Sequence, residues 1–520
     1  MVTVETAVLP ARTRGGSNRR WFALGALALS MLTIGLDTTV LAVALPTLSN
    51  DLAASTSQLQ WFSAAYTLVL AALLLPAGDI GDRLGHKRLL IGGLAVFGLA
   101  SLACAFATSP TMLIADRALL GIGAAVMMPL SMAVLPTLFP DAADRQRALT
   151  IWVTATSLGL PLGPIVGGWL LEHFWWGSVF LINVPVVAIG IVAIAAFVPS
   201  SRGSASGSFD VVGAVLSSVG LLGLTYGLIE AGRRGWTDPL SLGAIGLGLA
   251  VLIVFVLVER RLAHPLIDPR LFRSRQFGWG SLLATLAGFL LFGIIFTVPQ
   301  YSQAVLGAGP MGTGTRLLPL IGGLVLGARA GGMLLRRLAS GPLIAAGFVL
   351  LAASGLLAST TTLTTSYGFV AGWLVVAGAG FGLVMPVAMS AALAALPAGR
   401  AGSGSGLIQA MRQAGGTIGV AVLGTVLGHG YVSQLDLPAS VPVALRERAA
   451  ESVSAGVAVA SKLGGDGLVI VVQKAFMHGM SLVMLTSAVL AVTSVVLALV
   501  TFGRSRTTTD ADQTQSVHVE

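Results

Sequence analysis

Long apolar runs, broken by short polar ones, fill the chain. Fourteen apolar segments can be drawn, at approximately 21–45, 58–77, 89–107, 111–137, 148–171, 178–198, 210–230, 240–258, 277–299, 312–334, 343–360, 368–392, 403–427 and 478–502. A bilayer-spanning helix needs about 20 apolar residues, so each run predicts one crossing. Gly and Pro inside several runs are compatible with this, because membrane helices tolerate them better than soluble ones. The first run is too long for a cleaved signal peptide, carries Asp37, and has no small-residue cleavage site at a suitable distance. The expected fold class is an all-α integral membrane protein. The segment 428–476 is the longest outside the spans, and an amphipathic helix is predicted around Pro442–Val459 within it.

Composition excludes the other broad classes. Of the 520 residues, 55% are hydrophobic and 10% charged, with a mean hydropathy of +0.89. Soluble globular chains carry about 25% charged residues. Cys104 is the only cysteine, which removes a disulfide scaffold and a cysteine-ligated metal centre. The net charge of +9 does not require nucleic acid, since basic groups collect at the cytoplasmic ends of membrane helices. With the N-terminus in the cytoplasm, 20 basic residues fall in inside segments and 6 in outside ones. Both ends are therefore expected inside. Four arginines remain within spans: Arg117, Arg316, Arg329 and Arg412. The bias of Arg over Lys, 27 to 3, with abundant Ala and Gly, fits a GC-rich bacterial genome.

An internal repeat gives the organisation. Span four contains Gly121-Ile-Gly123 followed by Met127-Met128-Pro129, and span twelve contains Gly378-Ala-Gly380 followed by Met385-Pro386 in register. This pairs the fourth span of one six-span half with the fourth of another, if spans seven and eight are an insert. Parallel six-helix halves with substrate bound between them are a transporter architecture. The expected organisation is a cytoplasmic tail 1–20, a six-helix bundle 21–198, a two-helix insert and linker 199–276, a second bundle 277–502 with the outside loop 428–476, and a cytoplasmic tail 503–520.

Asp37 lies eight residues from the outer end of span one, about 12 Å deep. An intramembrane carboxylate is costly and marks an ion or proton pathway by default. Arg117, six residues from the outer end of span four, cannot lose its charge and needs acceptors. The similar depths make Asp37 and Arg117 candidates for coupling, while Asp116, on a different helix face, is a rival partner for other groups. Between spans two and three runs Gly78-Asp79-Ile80-Gly81-Asp82-Arg83-Leu84-Gly85-His86-Lys87-Arg88. Its glycines are expected to form a tight cytoplasmic turn. Asp79 is placed to accept from neighbouring helix N-termini, and Arg83 and Arg88 to pair with acids across the loop. Span five contains Gly159-Leu-Pro-Leu-Gly163-Pro164-Ile-Val-Gly167-Gly168. Gly163 and Gly167 make a close-approach face, and Pro164 favours a kink.

Together these segments resemble the major facilitator superfamily, in its fourteen-spanner drug:proton antiporter branch. The resemblance covers about 15–505 and rests on Leu36–Pro46, Gly78–Arg88, Arg117 with Gly121, and Gly159–Gly168. It implies the major facilitator fold, two six-helix bundles plus two extra central helices. It also implies that Asp37 is the protonation site and that Arg117 supports proton transfer. By the same resemblance the Gly78–Arg88 loop controls switching, and the Gly159–Gly168 helix seals or bends the outer gate. The implied activity is export of hydrophobic drugs, antibiotics or related amphiphiles across the bacterial cell membrane, by a monomer driven by the proton gradient without a cofactor.

Two departures bear on the cargo. Many multidrug members of the branch have an acid three residues after a span-two Trp, where this chain has Trp61 and Ala64. Many have another in span thirteen, where this chain has Gln409, Arg412 and Gln413. Neutral or monocationic amphiphiles are therefore expected over dications. Candidate cavity residues are Tyr66, Met128, Phe289, Phe296, Gln300, Met385, Gln409, Arg412 and Gln413, since aromatic and Met side chains adapt to varied apolar ligands. A dedicated exporter of an endogenous metabolite or lipid is the alternative. A non-transporting sensor would leave Asp37 unexplained. No GxxxxGK[ST] loop occurs for ATP. The six histidines are scattered singly, which argues against a membrane enzyme.

Overall fold

Ser, Asp and Pro punctuate the apolar runs where helices begin. Ser55 and Gln58 form a reciprocal capping box. Ser109 precedes Pro110, Asp238 precedes Pro239, and each accepts from backbone N–H groups of the first turn. Such caps satisfy donors that a helix start leaves open. The computed structural model describes residues 14–198, 210–262, 265–267, 269–335, 337–394, 401–463 and 466–502. Both tails lie largely outside the described residues. The helices are α1 (Arg14–Asp51), α2 (Thr56–Leu84), α3 (His86–Ala105), α4 (Pro110–Leu138), α5 (Ala142–His173), α6 (Ser178–Leu181), α7 (Asn183–Phe197), α8 (Val211–Arg234), α9 (Pro239–Glu259), α10 (Arg275–Ala304), α11 (Pro310–Arg316), α12 (Leu318–Leu334), α13 (Ser340–Ser359), α14 (Tyr367–Ala394), α15 (Ala401–Ser433), α16 (Val443–Glu451), α17 (Val453–Lys462) and α18 (Asp466–Phe502).

Among the described residues, thirteen helical stretches are long and apolar enough to cross a membrane. The 32-residue α5 completes fourteen crossings, with α6–α7 and α11–α12 each serving as one. All fourteen expected spans are thus present. Most are longer than the apolar runs, because polar ends continue the same helix past the hydrocarbon. The segment outside the spans is correspondingly shorter than 428–476, since α15 continues to Ser433 and α18 starts at Asp466. The single amphipathic helix expected around Pro442–Val459 is two, α16 and α17. Ser452, in extended conformation, separates them and caps the second.

The repeat is visible in the packing. A Cβ on Gly121 would stand 2.7 Å from the Tyr66 carbonyl oxygen of α2, and one on Gly123 would stand 2.7 Å from the Phe97 backbone of α3. In the second half Gly378 meets the Leu320 carbonyl of α12, at 1.9 Å from its would-be Cβ, and Gly380 meets the Gly347 carbonyl of α13 at 2.7 Å. The fourth helix of each half therefore touches the second and third through matching glycines. The pairing of α1 with α5 likewise has its counterpart in α10 with α15.

With fourteen crossings, the start of α1 and the end of α18 lie on one face, the terminal face; the other is the distal face. Bonds between the halves concentrate on the distal side. Ser49 and Ser452 hydroxyls lie 2.7 Å apart, Thr56 Oγ1 donates to the Glu451 carbonyl at 2.7 Å, and Gln303 Nε2 donates to the Val43 carbonyl at 3.0 Å. Deeper in the bundle, Gln60 Nε2 donates to the Ala421 carbonyl at 3.1 Å and Thr417 Oγ1 to Thr67 Oγ1 at 2.7 Å. Among the described residues α4 and α14 make no comparable contact toward the terminal face. The inserted helices do not separate the halves. α8 lies across the seam between α2 and α15, where Thr425 Oγ1 donates to the Leu228 carbonyl at 3.1 Å and Trp61 approaches Tyr226. α9 packs on α8 and is otherwise largely exposed to the surroundings of the bundle.

Candidate functional site

Helices α1, α2 and α4 bring one buried charge pair together. Arg117 Nη1 lies 2.7 Å from Asp37 Oδ2. Asp37 is 2% exposed and Arg117 1%. Arg117 Nε also donates to the Phe62 carbonyl at 3.0 Å, and its guanidinium sits 4.6 Å from the Tyr66 ring centroid. The guanidinium thus has a carboxylate, a carbonyl and an aromatic face as partners. Removing one member of such a buried pair leaves an uncompensated charge and costs about 3–5 kcal/mol. The rival acid Asp116 is 8% exposed and stands outside the pair, its Oδ2 without a hydrogen-bond partner.

A small cavity, with room of about 20 Å³, opens beside the pair, between the two halves. Thr38, Tyr66 and Arg117 line it from the first half, and Phe292, Phe296 and Val420 from the second. Of the cavity residues expected from sequence, Tyr66 and Phe296 line it. Gln409 Nε2 reaches Met128 Sδ across the halves at 3.7 Å and accepts from Arg412 Nε through Oε1 at 3.2 Å. These three therefore face the gap on the terminal side of the cavity. Gln300 is turned inward, donating to the Phe296 carbonyl of its own helix at 2.9 Å. Phe289 and Met385 pack against the core, and Gln413 is buried with Oε1 unpartnered. Sequence reasoning missed Thr38, Leu41, Ala42, Ser63, Thr67, Phe292, Ile295 and Val420. Their signal is spacing: 38, 41, 42 on α1, 63, 66, 67 on α2 and 292, 295, 296 on α10 each form an i, i+3, i+4 stripe.

A family model described as the Major Facilitator Superfamily matches residues 27–420. The chain belongs to the major facilitator superfamily. It is 36% identical to the multidrug efflux pump LfrA of Mycolicibacterium smegmatis, over 87% of this chain and 90% of that protein. It is 34% identical to the tetracenomycin C resistance and export protein of Streptomyces glaucescens, over 94% and 92%. Its fold matches the crystal structure of a bacterial homologue of the lysosomal transporter Spinster in an inward-facing, unoccupied conformation. The TM-score is 0.67 at 16% identity, covering 94% of this chain and 99% of that one. The protein is a multi-pass membrane transporter of this superfamily.

The superfamily's loop between spans two and three takes a form that its glycines did not announce. α2 continues to Leu84, so Gly78 and Gly81 are helical rather than turning. Gly81 instead packs under Leu130, whose Cδ2 would lie 2.0 Å from an added Cβ. Gly85 alone makes the turn, with φ 95°, a conformation that favours glycine. Asp79 meets Arg83 on its own helix at 3.2 Å rather than a neighbouring helix N-terminus, because the longer α2 puts them one turn apart. Lys87 donates to the Ala195 carbonyl at 2.7 Å, in the last turns of α7, where the helix dipole favours a cation. Arg88 is exposed; the Asp82 side chain lies outside the described residues.

The α5 glycines divide between two neighbours. Added Cβ atoms would stand 2.7 Å from the Leu32 carbonyl at Gly159, 2.0 Å from Thr39 Oγ1 at Gly163 and 3.3 Å from Val40 at Gly167. All three press on the turns of α1 that flank Asp37. Gly168 and Pro164 face the other half: an added Cβ on Gly168 would lie 2.6 Å from Met311 Cα, and one on Gly314 2.0 Å from the Pro164 carbonyl. The helix runs unbroken through Pro164.

Proposed function

We propose that this transporter is a proton-coupled antiporter that exports hydrophobic drugs, antibiotics or related amphiphiles across the bacterial cell membrane by alternating access. The observation that carries this reading is the Asp37–Arg117 pair, buried and set against a cavity between the halves. A proton on Asp37 cancels its charge and releases Arg117, which keeps the Phe62 carbonyl and the Tyr66 ring as partners. The guanidinium is then free to shift within the cavity wall. Through Leu36, Thr39 and Val40 such a shift bears on the α5 glycines, and through Gly168 and Pro164 on α11 of the other half. In this scheme Asp37 and Arg117 are the coupling residues and the Gly159–Gly168 face transmits the change. Asp79, Arg83, Gly85 and Arg88 belong to the switch at the end of α2.

The terminal face is the cytoplasmic one, a reading supported by the 20 to 6 division of basic residues. Distal-side closure between the halves then describes a state that loads from the cytoplasm. The names of the relatives, a multidrug efflux pump and an antibiotic resistance and export protein, support drug-like cargo. Asp37→Asn tests the scheme, because an amide cannot cycle a proton. In proteoliposomes with an imposed pH gradient, the variant is expected to bind cargo yet show no uphill export. Uphill export at the unmodified rate would remove Asp37 from the coupling role.

A further inference from the structure

Between Asp268 and Asp436 the chain contains no aspartate or glutamate. Helices α10 to α15, of which α10 and α15 supply the second half's wall of the cavity, therefore carry no carboxylate. Within this stretch Arg412 sits eleven residues into α15, half-buried. Its Nε donates to the neutral amide oxygen of Gln409 at 3.2 Å, and Gln409 in turn reaches Met128 of the first half. The guanidinium thus faces the gap between the halves and not the surrounding lipid. Its stem lies along α10, where a Cβ on Gly288 would stand 3.0 Å from Arg412 Cγ.

Among the described residues, ion pairs engage Arg20, Arg83, Arg117, Arg147, Arg234 and Arg448, and none includes Arg412. The other second-half arginines within spans are differently placed. Arg316 lies over the Tyr367 ring, at 5.5 Å, on the distal side, and Arg329 is exposed on α12. On the first-half side Asp37 already holds Arg117 and is 2% exposed, so it offers a cationic cargo nothing while the pair stands. The fixed charge facing the cargo path is positive. A guanidinium does not lose its proton in a protein, and a charge taken from water asks for a counter-charge.

We infer that Arg412 is an anion-binding residue, and that the favoured cargo is an elongated amphiphile with one acidic group. This rests on the exporter reading above and departs from the neutral or monocationic cargo expected from sequence. Val420, in the wall of the cavity, is eight residues from Arg412, about 12 Å along α15. The cargo therefore places a ring system against Tyr66, Phe292 and Phe296 and its acid about two helical turns nearer the terminal face.

Three pyrene compounds of matched size test this: 1-pyrenebutanesulfonate, neutral 1-pyrenebutanol and 1-pyrenebutyltrimethylammonium. Equilibrium dialysis against the full-length protein in nanodiscs gives Kd, and proteoliposomes with a pH gradient give export. The sulfonate is expected to bind about tenfold more tightly than the trimethylammonium compound, the scale of one charge-assisted hydrogen bond. Arg412→Gln is expected to remove that advantage and leave pyrenebutanol within about twofold of its original Kd, while Arg412→Lys retains most of it. Equal loss for all three compounds in Arg412→Gln would assign Arg412 a structural role and overturn the inference. So would tighter binding of the trimethylammonium compound by the unmodified protein, a measurement that needs no variant. Absence of uphill export for every compound would sink the exporter reading, while the Kd series would still decide the role of Arg412.

Discussion

In the first half the fourth helix meets its neighbours through Gly121 and Gly123, and in the second through Gly378 and Gly380. Four residues ahead of the first glycine stands Arg117 in one half and Leu374 in the other. The cavity stripes 38, 41, 42 of α1 and 292, 295, 296 of α10 set Leu291 against Asp37 in the same way. The glycines match because their job is steric. The main chain of a neighbouring helix occupies the space of any Cβ, so each half needs the same small residue at the same place. The charges do not match, and the second half packs the same helix contacts with leucine. Helix packing of this kind does not call for the pair. Of the three arginines within second-half spans, Arg412 is the one joined through Gln409 to the first half, and no acid stands on α10 to α15.

The strongest way to break this comparison is to make the first half like the second. Arg117→Leu strands Asp37 in the interior and is expected to destabilise by about 3–5 kcal/mol, read as a large fall in thermal-unfolding midpoint in detergent. The double variant Asp37→Leu/Arg117→Leu is expected to regain most of that loss, since an apolar replacement of a whole buried pair is often neutral or better, yet to show no pH-driven export. A double variant as unstable as the single one would mean that the pair holds the fold.

Smaller effects sharpen the steric side. Gly378→Ala puts a Cβ 1.9 Å from the Leu320 carbonyl and Gly121→Ala puts one 2.7 Å from the Tyr66 carbonyl. Overpacking of this kind costs about 1–3 kcal/mol, with Gly378 the more sensitive. Gly322→Ala, with nothing within 4 Å, is expected to leave the unfolding midpoint unchanged or slightly raised. Equal behaviour of all three variants in the same melt would contradict the matched-glycine account.

The smallest expected effect lies at the join between the halves. Thr67→Val removes the 2.7 Å bond to Thr417. At about 0.5–1.5 kcal/mol for one hydrogen bond, it shifts the balance toward the distally open state by about two- to tenfold. Spin labels at exposed Asn50 and Gln434, one on each half, report that balance as a distance distribution. An unchanged distribution would show that this bond does not bias the two states.

Much of this was legible in the sequence. Apolar runs of bilayer length locate all fourteen crossings, and the depth of Asp37 and Arg117 along spans one and four makes them natural partners. The repeat at Gly121 and Gly378 foretold equivalent packing. The cavity wall was harder to read. Helices such as α10 and α14 are apolar on every side, so a residue facing lipid and one facing cargo look alike until neighbours are in place. Phe292 and Phe296 are of one type with Phe289, yet only the first two line the cavity. The loop glycines misled for another reason: glycine serves both a left-handed turn and a close helix contact. Gly85 does the first and Gly81 the second, and local sequence does not separate them.

Because α8 rests on both α2 and α15, the inserted pair roofs one of the two lateral slots between the halves. No described helix lies in the same way across the opposite slot, where α5 meets α11. An amphiphile dissolved in the surrounding lipid therefore finds the molecule two-sided. On the α8 flank its way is barred by a helix and the companion α9, and on the α5 flank, among the described residues, the halves themselves are the only barrier. The extra helices give a nearly symmetric machine a front and a back within the plane of the membrane.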